Sequence, residues 1–451
     1  MSDALADVSR TFSGQILQST DAGYEEARAI HNGLLDKRPK LIARCHGLAD
    51  IAAAVTLARD LNLEIAVRGG GHNVAGRATT DGGVMIDLSL MRGIQVDPAA
   101  RSVRAQGGAT WGLFNRETQL HGLATTGGTI STTGIGGLTL GGGLGWIMGK
   151  YALSADNLLS VDVVLADGTI IRASEANHPD LFWGLRGGGG NFGVAASFEY
   201  RLHPVGPMIT GGIVAHPFKD AWDVLRFYRD ATRSLPDECI ALGGLIHAPD
   251  GSGTKLAAIV ACHCGTLADG EAALRRFKSF GAPAIDTMGA MSYCDVNTML
   301  DGGFPRGARN YWKSNFLQSL SDEAIRTMVD CFDACPAPLG GVILEHLHGA
   351  VTRIGVAETA FPHRTEGYNL LILSQWPGSA DDAACIRWAR ETHDAMAPFV
   401  GAGRYVNYLD DDDKGGAAAA YGPNYQRLRT IKAKYDPDNV FHMNQNIPPA
   451  R

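Results

Sequence analysis

Glycine is the residue that most constrains this chain. There are 57 in 451 residues, and they crowd into three runs, 69–71, 134–145 and 187–193. A backbone without Cβ atoms can approach a ligand closely and offer successive N–H groups to phosphate oxygens. Tight turns and bulges between strands also collect glycine. Three runs within residues 69–193 favour a large phosphate-bearing ligand over turns alone. His72 directly follows the first run, in Arg68-Gly69-Gly70-Gly71-His72-Asn73. By itself it reads as a hydrogen-bonding loop histidine.

One run imitates a nucleotide motif. Gly188 to Gly193 satisfies GxGxxG, but VAASFEYRL follows it and alternates like a strand. A dinucleotide fold needs a helix at that point, so the nicotinamide reading is set aside.

Around the glycines, residues 50–62 read as a helix with Ile51 and Val55 on one face. LSVDVVLADGTIIRAS reads as a hairpin turning at Asp167-Gly168. Beyond Pro204 the texture changes: amphipathic helices near 220–234, 268–279, 321–334 and 381–397 alternate with strands such as GVILEHLHGAV and YNLLILSQW. This predicts an α+β fold, with a sheet covered by helices in the second part. The tail predicts a short strand in RYVNYLDDDD, an acidic loop at 410–413, and a helix over 423–435.

Charge and composition exclude several functions. A formal net charge of −7 gives no electrostatic reason to bind nucleic acid or an anionic membrane. No run of about 18 apolar residues predicts a membrane span, and the N-terminus lacks a secretory pattern, so a cytoplasmic location is expected. The eight cysteines are scattered, which argues against a disulfide scaffold. Cys262-His263-Cys264 and Cys331-x3-Cys335 match no usual zinc spacing, and no metal is expected.

Taken together, Arg68 to His72, Asp87-Leu88-Ser89, Gly136-Gly137-x3-Gly141-Gly142-Gly143-x-Gly145, Tyr151-x-Leu153-x2-Asp156-Asn157, Asp180 to Gly193 and the tail from Tyr405 to Pro448 resemble the berberine bridge enzyme-like oxidases. These belong to the vanillyl-alcohol-oxidase/PCMH flavoprotein superfamily. The resemblance covers essentially the whole chain. It implies a two-domain α+β architecture: a PCMH-type FAD-binding domain over 1–205, a substrate domain of antiparallel sheet over 206–404, and a segment, 405–451, returning to the FAD domain. It also implies FAD joined through its 8α-methyl to His72. The second, cysteinyl link of many relatives would fall at Ile130, which cannot form it.

The implied cofactor contacts are Arg68, Gly69, Gly70, Gly71, Asn73, Thr129, Thr133, Gly134, Gly137, Gly141, Gly142, Gly143, Asp156, Asn157, Val194, Tyr405 and Asn444. Thr133 takes the place associated with oxygen access. Tyr408 matches the family's candidate base. A phenol with an ordinary pKa of about 10 needs a nearby cation to act so, and Lys313 is offered as that cation. The implied activity is oxidation of a small alcohol, amine or heterocycle with O2 returning as H2O2. The rival readings are a dehydrogenase using another acceptor and a non-catalytic flavin- or drug-binding protein. Sequence leaves the oligomeric state open.

Overall fold

The computed structural model describes residues 8, 10, 12–248, 250–413 and 415–451. Strands β1 (Gln15–Leu17), β2 (Leu41–Arg44), β3 (Ile65–Arg68) and β4 (Val84–Asp87) form a small sheet in the order β1-β2-β4-β3. β2 and β3 run parallel to β4, and β1 runs antiparallel to β2. The helix Leu48–Asp60 crosses between β2 and β3 and buries Ile51, Ala54, Val55 and Ala58. Its observed bounds lie two residues N-terminal to those read from the sequence.

β5 (Ile94–Asp97), β6 (Ser102–Gln106), β8 (Leu158–Val164), β9 (Ile170–Ser174) and β10 (Val194–Arg201) make an antiparallel sheet in the order β5-β6-β10-β8-β9. β7 (Leu123–Ala124) and β11 (His203–Pro204) pair beside it. The β8–β9 hairpin is the one read from the sequence, and Gly168 supplies the positive φ of +83° that its turn requires. The GxGxxG decoy does run into a strand, β10.

The largest sheet contains β12 (Met208–Pro217), β13 (Cys239–His247), β14 (Lys255–His263), β15 (Ile285–Asp286), β16 (Gly289–Ser292), β17 (Arg309–Leu317), β18 (Gly341–Leu347) and β19 (Gly367–Trp376). Its order is β15-β12-β14-β13-β18-β19-β17, with β16 also paired to β12. Every pairing is antiparallel. Helices Ala221–Thr232, Leu267–Leu274, Asp322–Asp333 and Asp382–Met396 lie against one face, where Val224, Ile259, Ile325, Leu344 and Trp388 share one core. The side-chain hydroxyls of Thr266 and Ser321 cap two of them by accepting from the N–H of Asp269 and Ala324. The α+β class read from the sequence is the class observed. Among the described residues no helix is long and apolar enough to cross a membrane.

The tail departs from expectation at one point. Residues Val406–Tyr408 form a 3-10 turn rather than a strand. The Tyr408 N–H closes on the Tyr405 carbonyl at 3.0 Å, and the Asn407 amide donates to the Leu138 carbonyl at 3.0 Å. The first bond takes a backbone N–H that a strand ladder would need, and the second ties the turn to a distant segment. The helix Tyr425–Tyr435 then buries Leu428, Ile431 and Tyr435 in a core shared with Phe182, Phe192 and Phe198.

Lys432 locks this arrangement. Its ammonium donates to Asp436 Oδ2 (2.6 Å) and to the carbonyls of Asn191 (2.6 Å) and Phe441 (2.8 Å), and both charged side chains are fully buried. Removing one partner of a buried pair leaves the other uncompensated. Lys432→Met is therefore expected to lower unfolding free energy by about 3–5 kcal/mol, read as an earlier denaturant midpoint.

Candidate active site

The free face of the eight-stranded sheet and the glycine loops enclose one continuous cavity of ≈ 460 Å³. β3 delivers the first glycine run to its edge. There Gly70 and Gly134 lie backbone to backbone: a Cβ on either would sit within 2.4 Å of the other's main chain. The two runs are thus mutually required. The N–H groups of Gly70, Gly71 and His72 meet no acceptor among the described residues. A Cβ on Gly137 would project into open space. Successive unpaired amides over a floor without side chains suit a pyrophosphate, and this geometry fits FAD.

His72 lines the cavity, and its Nε2 shares a 2.8 Å hydrogen bond with Thr132 Oγ1. The His31 ring stacks on it with centroids 3.9 Å apart. Burial, reinforced by His31 and Arg306, lowers the His72 pKa to about 3, and burial takes His31 to about 4. Both imidazoles are neutral at ordinary pH, so His72 keeps a nucleophilic lone pair.

Of the residues singled out in the sequence, Gly69, Gly70, Gly71, His72, Asn73, Thr129, Thr133, Gly134, Gly137, Tyr405, Tyr408 and Asn444 line the cavity. Ile130 lines it too. Seven of the implied cofactor contacts do not, and the structure shows what holds them elsewhere. Arg68 sits behind the turn, donating to the Ala27 carbonyl at 2.5 Å with Asp87 at 3.8 Å. Cβ atoms on Gly141, Gly142 and Gly143 would strike Asn407, Phe361 and Ser154, so these glycines serve the protein's own packing. Asp156 forms a buried bidentate pair with Arg364 at 2.7 and 2.8 Å. Asn157 donates to the carbonyls of Tyr151 and Leu153 and bonds His203. Val194 is wholly buried in the core with Ile51 and Ile86.

The tail supplies aromatic and amide groups. Tyr405 Oη accepts from the N–H of Gly143 and Leu144, each at 3.3 Å, and from Asn407 Nδ2 at 2.9 Å. Asn444 Nδ2 donates to the Gly190 carbonyl at 2.9 Å.

The strongest chemical feature was not singled out in the sequence. Glu345, on β18, is the one carboxylate in the cavity wall among the described residues. Its Oε2 accepts from Asn369 Nδ2 at 2.6 Å and its Oε1 from Tyr408 Oη at 3.1 Å. Burial raises its pKa to about 7, only partly offset by those two donors. Tyr408 is pushed well above its ordinary value, first by burial and then by the charge of Glu345. The cation sought for Tyr408 is not beside it. Lys313 instead pairs with Asp412, which also accepts from Tyr311 and Arg390. That network also changes the reading of the acidic run at 410–413, since Asp412 is tied to the sheet. The signal for Glu345 was present: it is a lone carboxylate in a strand, GVILEHL, that is apolar apart from it and His346.

The fold and cavity define an FAD-dependent oxidoreductase. Residues 39–174 match the family model described as FAD binding domain, and residues 404–448 match the one described as berberine and berberine like. The chain is 32% identical to (R)-6-hydroxynicotine oxidase of Paenarthrobacter nicotinovorans over 97% of both proteins. It is 30% identical to an FAD-linked oxidoreductase of Dictyostelium discoideum, over 92% of this chain and 89% of that one. The crystal structure of 6-hydroxy-D-nicotine oxidase from Arthrobacter nicotinovorans superposes with a TM-score of 0.89 at 30% identity, covering 97% of this chain and 98% of that one. Berberine bridge enzyme bound to (S)-reticuline, at 22% identity and a TM-score of 0.89 over 100% and 99% of the two chains, shares the fold. The chain belongs to the berberine bridge enzyme-like family of FAD-linked oxidases.

Proposed function

We propose that this protein is an FAD-dependent oxidase of a small organic alcohol, amine or heterocycle, with its flavin attached through His72 alone and Glu345 as the proton acceptor. The observation that carries the reading is the buried carboxylate of Glu345 in the wall of the cavity that His72 and the glycine runs also line. Bound FAD would supply the two-electron acceptor, taking hydride from the substrate carbon and passing the electrons to O2 to give H2O2.

The chain's own residues do the rest. Ionised Glu345 takes the proton from the substrate O–H or N–H. Asn369 and Tyr408 each donate to one of its oxygens and so fix the carboxylate plane. Tyr408 keeps its proton and acts as a hydrogen-bond donor. A pKa of about 7 places Glu345 near the pH at which a general base is most effective. His72, neutral and held by Thr132, supports the covalent bond. Ile130, at the place of a second link, offers no sulfur for one.

The reading fixes a pH profile. Below about 7 Glu345 is increasingly protonated and inactive as a base. Thus kcat/KM is expected to fall about tenfold per unit on the acid side and to level off above. Oxygen uptake across pH 5–9 measures this, and a profile flat through that range removes Glu345 from the role.

A further inference from the structure

The sheet side of the cavity extends well beyond Glu345, and its register shows how. On the cavity face, Glu345 on β18 pairs with Leu242 on β13, Leu242 with Val260 on β14, and Val260 with Ile213 on β12. The next row, two residues along each strand, runs Ile343, Gly244, Ala258 and Ala215 through the same pairings. A third row holds Ile246 and Leu256. On β13, β14 and β12 the middle row is therefore small where its neighbours are large, whereas on β18 it holds Ile343. A trough floored by Gly244, Ala258 and Ala215 starts beside the Glu345 strand and crosses β13 and β14 to β12, where Ile285, paired with Ala215, closes it. All of these side chains and glycines line the one cavity. Strands lie about 4.8 Å apart, so three steps give a length of roughly 14 Å. Among the described residues no ionisable side chain besides Glu345 stands in these rows; His247, the residue after Ile246, turns its ring to Phe332 on the helix-covered face. Its Nδ1 is already bonded to the Gly340 carbonyl at 3.1 Å.

We infer that the substrate is elongated and largely apolar, with a single O–H or N–H group at one end and an alkyl or fused-ring body of about 14 Å lying in the trough. The inference rests on the reading of Glu345 as proton acceptor, because that reading decides which end reacts. The trough has almost nothing for a second polar group to bond. Each sugar hydroxyl laid along Ile213, Val260 and Leu242 would lose water without a partner, weakening binding roughly tenfold or more. A methylene laid there gains roughly fourfold.

The test uses the holoenzyme carrying Glu345→Gln, titrated anaerobically with benzyl alcohols bearing para-methyl, butyl, hexyl or decyl chains, with maltose as the polar comparison. Dissociation constants are read from the flavin absorbance shift. Affinity is expected to rise roughly fourfold per methylene from methyl to hexyl and to stop rising at decyl. Maltose is expected to give no shift. In Ala258→Phe the hexyl-to-methyl affinity ratio should collapse toward one, while acid-stable flavin content remains that of the parent. A flat series, the absence of any shift with every alcohol, or tighter binding of maltose overturns the inference. Failure of the Glu345 reading shows separately: the Glu345→Gln flavin would then bleach as fast as the parent flavin, whatever the affinity series does.

Discussion

Glu345→Gln is expected to lower the rate of flavin reduction by about 10²–10⁴-fold, the range typical of losing a positioned general base. Glutamine keeps the size of the side chain and can still accept from Asn369 Nδ2 or Tyr408 Oη. It cannot take a proton. Stopped-flow bleaching of the flavin measures the effect, and flavin content should be unchanged, because Glu345 lies on the sheet wall and not among the glycine loops. The acid limb near pH 7 should vanish with the carboxylate. Tyr408→Phe should cost far less, because it removes one donor to Glu345 and leaves Asn369 in place. Equal losses in the two variants would move the base role to the phenol.

His72→Ala carries the second large effect. In the parent protein, acid precipitation is expected to leave the flavin in the pellet. In His72→Ala all of it should appear in the supernatant, while the fold is retained. The cradle itself survives the change: Gly70 and Gly134 still meet, and the unpaired amides of Gly70 and Gly71 remain. Flavin is therefore expected to bind non-covalently and to be a weaker oxidant. Ile130→Ala, by contrast, should leave the parent's acid-stable flavin unchanged.

The glycine-lined half of the cavity was readable in the sequence because it is local. Arg68 to Asn73 is one turn after one strand, and the glycine runs announce a backbone that something must approach. Even there, local reading could not separate two reasons for glycine. Gly137 faces the cavity, whereas Gly141, Gly142 and Gly143 make room for Asn407, Phe361 and Ser154 from distant segments. The same holds for Asp156, whose partner Arg364 lies on a different part of the chain. The substrate half was less readable because it is made by register. Glu345 acquires its meaning only when β18 is set between β13 and β19, which brings Leu242 and Asn369 opposite it. The residues of the 3-10 turn at 406–408 have strand-like composition, and only the bonds to Tyr405 and Leu138 decide otherwise.

The proposed attachment is a single flavin bond at His72. Protease digestion of the unmodified protein, followed by mass spectrometry of the flavin-bearing peptides, tests it directly. One modified peptide is expected, containing His72 and heavier by one FAD less two hydrogens, with the Ile130 peptide unmodified. Flavin on another residue, on two residues, or on none would contradict it.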